Sequence, residues 1–262
     1  MSKKLIVGNW KMHFTTGQAS LYLHKLDQMA PSYRDVEVVL APNVLALQSL
    51  SLQVNHRKFH LGAQNCYYED AGAFTGEVSA TQLRGLVRYV IVGHSERRHI
   101  FGETNKEIAL KVQAVLRNGM QPILCVGETK QERREGETAH VIHDQVTSGL
   151  RNVSSDEIEH IAIAYEPVWA IGTGDFASVD NAAAAAKLIR KHVRALFGDK
   201  AAETVRVLYG GSADSSNSAG FLRAEGIDGL LVGGASLKAR VFSDIIESAH
   251  GRDNVRGDGG DE

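Results

Sequence analysis

The sequence predicts an α/β protein, a closed (β/α)8 barrel of eight parallel strands ringed by helices. Three observations carry that expectation. Eight short β-branched or leucine-rich runs recur along the 262 residues, at 5–7, 36–40, 59–62, 89–92, 122–126, 160–164, 205–208 and 229–232. Several are apolar without alternation, as expected for strands buried on both faces of a parallel sheet. Successive runs are spaced so that each pair leaves room for the crossover of a dozen or more residues that parallel neighbours require. Eight such units in about 250 residues suit a closed barrel.

Taken in order, the first run leads into Asn9 and Lys11. The second opens the longest charge-free stretch, from Val38 to His56, where Pro42, Asn43, Gln48, Gln53 and two serines interrupt the apolar residues. That stretch reads as a strand, a turn and a helix rather than a membrane span. Gln64-Asn65 follows the third run and His94-Ser95-Glu96 the fourth. Beyond it, Ile108, Val112, Val115 and Leu116 fall at helical spacing. Thr104 with Glu107 forms a capping box there, and Gly119 is the stop. Glu166-Pro167 follows the sixth run. Ala182, Ala185, Ala186, Ile189, Val193, Leu196 and Phe197 then repeat the helical pattern up to Gly198. Gly210-Gly211-Ser212 ends the seventh run and Gly233-Gly234 the eighth.

The rival architecture is an open doubly wound sheet, which places a dinucleotide fingerprint after its first strand. The only approximate match is Gly172-Thr-Gly174-Asp-Phe-Ala177, late in the chain and without a well-placed acidic residue after it. Residues 1–250 are expected to form one domain and 251–262 a polar tail. The tail contains the adhesion-type tripeptide Arg256-Gly257-Asp258, for which a solvated terminus is the plainer reading.

Lys and Arg number 29 against 31 Asp and Glu, a net charge of −2, so no basic face is offered to nucleic acid. Cys66 and Cys125 make no CxxC pair, which excludes a disulfide framework or zinc knuckle and fits a reducing compartment. Only three apolar residues precede Gly8, too few for a secretory signal. A soluble, cytoplasmic protein is expected. His56/His60 and His140/His143 have metal-like spacing, but no carboxylate or cysteine clusters with either pair in sequence, and no metal is expected.

In such barrels the active site lies at the C-terminal ends of the strands. Those positions hold Asn9, Lys11, His94, Glu166 and the two glycine-rich turns. Turns after strands seven and eight commonly bind phosphate through backbone N–H groups, and glycine lets the main chain approach an anion closely. Glu166 follows a buried strand and precedes a proline, so its carboxylate is expected in the barrel mouth, its pKa raised by burial toward that of a working base. Ser95-Glu96 looks like a helix start whose N–H bonds Nδ1 of His94 and keeps that imidazole neutral. Lys11 taken alone is an ordinary surface lysine.

The segments Val7-Gly-Asn-Trp-Lys11, Val92-Gly-His-Ser-Glu-Arg-Arg98, Ile123-Leu-Cys-Val-Gly-Glu128, Ala164-Tyr-Glu-Pro-Val-Trp-Ala-Ile-Gly-Thr-Gly174, Leu208-Tyr-Gly-Gly-Ser212 and Leu231-Val-Gly-Gly-Ala-Ser236 resemble triosephosphate isomerases. The resemblance runs in order from Lys4 to about Ala249. It implies interconversion of dihydroxyacetone phosphate and glyceraldehyde 3-phosphate, in glycolysis and gluconeogenesis, without a cofactor. It also implies that Glu166 moves the proton, that His94 is the neutral electrophile, that Lys11 supplies positive charge and that Asn9 helps hold the substrate oxygens. Gly172, Ser212, Gly233 and Gly234 would contact phosphate, and the stretch from Pro167 to Gly174 would be a closing lid. A homodimer is implied too, with the loop from Gln64 to Glu77 inserting Phe74 and Thr75 into its partner; an exposed loop with Tyr67, Tyr68 and Phe74 would leave much apolar area uncovered. Another phosphate-binding barrel would share the glycine turns but not the Asn9, Lys11, His94 and Glu166 set. A nicotinamide oxidoreductase would need a true dinucleotide site, and an inactive binding barrel would show no turnover.

Overall fold

The computed structural model describes residues 3–170 and 177–251. Gly172, with the second half of the expected lid (171–174), and the tripeptide at 256–258 lie outside the described residues.

Eight strands, β1 (Lys4–Asn9), β2 (Val36–Ala41), β3 (His60–Ala63), β4 (Tyr89–Val92), β5 (Gln121–Val126), β6 (Ala162–Tyr165), β7 (Arg206–Tyr209) and β8 (Gly229–Val232), form one closed barrel in chain order. Every pairing is parallel, and β8 closes onto β1. All eight predicted runs are strands. The sixth begins two residues later than expected, because Ile161 spends its N–H on Ile158 O (3.1 Å) at the end of the 3-10 turn Ile158–His160.

The two-residue period of each strand sorts its side chains into two cores. Leu5, Val7, Val39, Ile91, Ile123, Cys125, Ala162, Ala164, Leu208 and Leu231 belong to a cluster inside the barrel. Ile6, Leu40, Val90, Val92, Leu124, Ile163, Val207 and Leu230 pack outward against the helices. Both faces are apolar, so the strands lack alternation.

The helix after His99 starts where the sequence places its cap. Asn105–Arg117 is opened by Thr104, whose Oγ1 accepts the Glu107 N–H (3.2 Å) while its own N–H donates to the Glu107 carboxylate (2.8 Å). It is followed by Gly119 at φ +74°. Val179–Phe197 is capped by Ser178, which accepts the Asn181 N–H at 3.1 Å.

One end of the barrel is plugged. The Arg206 guanidinium donates to Glu37 (2.7 Å), Tyr89 Oη (2.8 Å) and Gln121 Oε1 (3.1 Å), residues near the N-terminal ends of their strands. The mouth at the C-terminal ends is therefore the face left for ligands. At the β8–β1 seam, a Cβ on Gly229 would lie 1.9 Å from the Leu5 carbonyl oxygen. Gly229→Ala is expected to cost about 2–3 kcal/mol by overpacking against backbone, lowering the thermal midpoint by roughly 4–10 °C; circular dichroism melts check this.

Among the described residues no helix is long and apolar enough to cross a membrane. Cys66 and Cys125 are both buried and unpaired.

Candidate active site

A cavity of about 450 Å³ opens at the barrel mouth. Asn9, Lys11, His94 and Glu166 line it together with the glycine turns at 210–211 and 233–234. Four side chains from the ends of three strands thus meet at one space, as the strand-end positions predict.

Glu166 continues β6, its N–H donating to Val126 O at 2.7 Å, and its side chain is buried. One carboxylate oxygen accepts from the Ser95 N–H at 2.8 Å and the other lies 3.0 Å from His94 Nε2. His94 is the N-cap of the short helix Ser95–His99, and the Glu96 N–H donates to its Nδ1 at 3.3 Å. With Nδ1 occupied as an acceptor, the hydrogen bonds assign the ring proton to Nε2, facing Glu166.

The charge balance of the pair differs from the expectation for Glu166. Burial is the largest single influence on its carboxyl and does push the pKa up, but His94, the Ser95 N–H and Lys11 together outweigh it and hold the pKa below the usual value of 4.5. For His94, burial opposes charge, while the carboxylates of Glu166 and Glu96 favour it and leave the ring more basic than usual. A ligand that separates the two side chains removes the main cause of that basicity. The Glu96 N–H remains, and it opposes a proton on Nδ1.

In the role of base that the resemblance implies, Glu166 must be deprotonated to act, and a lowered pKa would keep it so down to acid pH. For the phosphate ester that the same resemblance implies as substrate, kcat/KM corrected for phosphate ionisation near pH ~6 is expected to show no carboxylate limb above pH 4.5. A pH–rate profile with an enzyme limb near pH ~6 would contradict this assignment. The same sign governs stability: the contribution is complete above the unfolded carboxyl's pKa and is lost as pH falls through the lower folded value.

Lys11 is not an ordinary surface lysine. Its backbone sits at φ +51°, a conformation L-residues avoid. Two neighbours fix it there: its N–H donates to Asn9 Oδ1 (3.0 Å), and its carbonyl accepts from Gln64 Nε2 (2.8 Å), which also bonds Ala41 O. The ammonium lies 2.7 Å from Glu96.

The glycine turns leave the space the site needs. A Cβ on Gly210 would come within 2.9 Å of Glu166 Cγ, and one on Gly211 within 2.2 Å of Tyr209 Oη. Gly234 begins the 3-10 helix Gly234–Leu237, so its N–H has no partner within that helix and is available to an anion. The Ser212 hydroxyl donates to Ala170 O at 2.6 Å, joining this wall to the stretch after Glu166.

The family model described as triosephosphate isomerase matches residues 4–249. The chain belongs to the triosephosphate isomerase family. It is 46% identical over 251 residues to the triosephosphate isomerase of Chlorobium phaeovibrioides, covering 95% of this chain and 100% of that one. It is 44% identical to that of Alkaliphilus metalliredigens, over 94% of this chain and 99% of the relative, and 42% identical to that of Geotalea uraniireducens, over 94% and 98%. As a triosephosphate isomerase family member it is an isomerase, and its fold is the TIM barrel.

One group in this triosephosphate isomerase fold escaped sequence reasoning. Glu128, fully buried at the end of β5, accepts from Tyr165 Oη (3.1 Å) and Trp169 Nε1 (2.9 Å). Arg133 lies 4.1 Å over the Trp169 ring. Together they root the 3-10 turn Val168–Ala170, which forms the first part of the expected lid. A signal was present, since Glu128 ends a strand as Glu166 does; its partners, 37 and 41 residues away, were not legible. His13 and Asp214 also line the cavity without any sequence motif marking them.

Proposed function

We propose that this chain interconverts dihydroxyacetone phosphate and D-glyceraldehyde 3-phosphate through an enediolate, with Glu166 as the base, His94 as the electrophile and Lys11 and Asn9 at the substrate oxygens. The convergence of that set with two glycine turns on one cavity carries the reading. The Glu166 carboxylate takes a proton from C1 of the ketone, and the electron pair moves into a C1–C2 double bond as charge develops on O2. The Nε2–H of His94 donates to that oxygen, while the Lys11 ammonium stabilises the negative charge. The O1 proton then passes to O2 by way of His94, and protonation of C2 by the same Glu166 yields the aldehyde at C1. C1 is oxidised as C2 is reduced, so the balance needs no external electron acceptor.

The backbone N–H groups of Gly233 and Gly234, with Ser212 and Gly172, hold the phosphate. The stretch from Pro167 to Gly174 acts as a lid that keeps water from the enediolate and its phosphate from leaving. Ser95 and His94 hold the Glu166 carboxylate at 2.8 and 3.0 Å, so reaching the substrate carbon requires it to leave them. Dihydroxyacetone phosphate incubated with the enzyme in D2O tests the step: deuterium should enter C2 of the aldehyde and C1 of recovered ketone, and turnover with label at neither carbon would contradict proton transfer through a solvent-exchangeable carboxyl.

Residues 1–250 form the catalytic barrel, and two buried, unpaired cysteines suit a reducing, cytoplasmic setting. The working form is a homodimer. In the loop from Gln64 to Glu77, Tyr67 and Phe74 rings lie 4.6 Å apart, and Asp70 ties the loop down through Arg117 and Asn118, both at 3.0 Å. Those bonds hold the Asp70 carboxyl down at about 2. A cavity of about 220 Å³, lined by Lys11, Met12, Glu96 and Phe101, has room for the Phe74–Thr75 tip of a second copy. Met12 is 95% exposed and Phe101 65%, an apolar rim that a partner would cover. Because Lys11 and Glu96 belong to this wall, Thr75→Arg should yield a monomer in sedimentation and lower kcat by about tenfold or more through misplacement of Lys11. A monomeric variant with full activity would separate assembly from catalysis.

A further inference from the structure

We propose that His143 and His192 form a two-imidazole binding site for a late first-row divalent cation, such as Zn²⁺ or Cu²⁺, on the outside of the barrel. His143 lies on the helix Thr138–Gly149 and His192 on the neighbouring helix Val179–Phe197. Their Nδ1 atoms face each other at 3.2 Å, with ring centroids 4.7 Å apart and planes inclined at 57°. Zinc–imidazole bonds of about 2.0–2.1 Å subtend roughly 3.3 Å between nitrogens at a tetrahedral angle and roughly 2.9 Å at a right angle. The observed separation falls between those limits, so a cation fits with little helix movement. His143 is exposed and His192 half-buried, which leaves the site open to solvent.

Among the described residues no carboxylate pairs with either imidazole, whose nearest polar partner is the other ring. Thr147 Oγ1 lies 3.5 Å from His143 Nδ1, an oxygen near the same point. Among the described residues no group of three or more His, Cys, Asp or Glu side chains could hold a metal. Two protein nitrogens and solvent must therefore complete the coordination, which makes the ion exchangeable. Imidazole nitrogen suits zinc, copper and nickel rather than magnesium or calcium. Both cysteines are buried and do not compete for it. The sequence spacing His140/His143 pointed at one helix; the contact that brings two ring nitrogens together instead spans 49 residues. An ion there ties together two outer helices, one of which begins just beyond the lid stretch.

Calorimetric titration of the full chain with ZnCl2, beside His143→Ala, His192→Ala and His140→Ala, tests the proposal. The wild type should bind one Zn²⁺ per chain. Each of the first two variants should weaken binding by at least the roughly tenfold that loss of even an outer-shell partner costs, whereas His140→Ala should not. Turnover should be unchanged in all three, which also reports that they fold. Affinities within twofold across the four proteins would show that the pair merely shares a proton and would overturn the site. So would weakening by His140→Ala without weakening by His192→Ala, which would place the ion on one helix.

Discussion

Glu166→Asp is expected to lower kcat by about 10²–10³-fold while KM stays within a few-fold. The substitution keeps the charge and withdraws the carboxylate by one methylene, about 1.5 Å. Displacements of about 1 Å cost on the order of 10²-fold when a reacting group must meet its target, and a positioned base contributes about 10²–10⁴-fold in all. In the proposed mechanism the phosphate is held by the Gly233 and Gly234 N–H groups rather than by the carboxylate, so ground-state binding should survive. The shorter side chain also loses reach to the Ser95 N–H and His94, which now hold it at 2.8 and 3.0 Å. Initial rates against substrate concentration check the split. Comparable kcat in the two proteins would remove Glu166 as the base.

The second large effect belongs to His94→Gln. A glutamine amide offers an N–H donor near the place of Nε2, but it cannot relay a proton, and removal of a preorganised electrophile typically costs about 10²–10³-fold in kcat. The variant also loses the Nδ1 acceptor that caps the helix Ser95–His99, a change of about 1 kcal/mol, so the fold should hold. A drop in kcat with a melting midpoint lowered by only about 2–4 °C is the expected pair of results. An unchanged kcat would mean that substrate oxygen is polarised by Lys11 alone.

The barrel was legible in the sequence because its signals are local: apolar runs of strand length, capping boxes and glycine stops, each confined to a few neighbouring residues. Thr104 with Glu107 and the glycine at 119 act where they were read. Strand-end positions likewise led to Asn9, Lys11, His94 and Glu166, since a parallel barrel brings all its C-terminal ends to one rim. What local reasoning could not supply was the balance of long-range partners. Burial of Glu166 was foreseen, but the partners that reverse its effect come from Ser95, 71 residues away, and from the ring of His94. The strain at Lys11 is set by Gln64, 53 residues on, and nothing in the run from Val7 to Lys11 announces it. Glu128 and the His143–His192 pair are hidden for the same reason.

The most direct test of the account is a coupled assay with glyceraldehyde 3-phosphate on the purified chain, run beside Glu166→Gln under the same conditions. The account predicts fast turnover by the wild type and a loss of about 10²–10⁴-fold in the variant, both proteins showing the same circular dichroism. No turnover by a folded wild type, or equal rates in the two proteins, would contradict it.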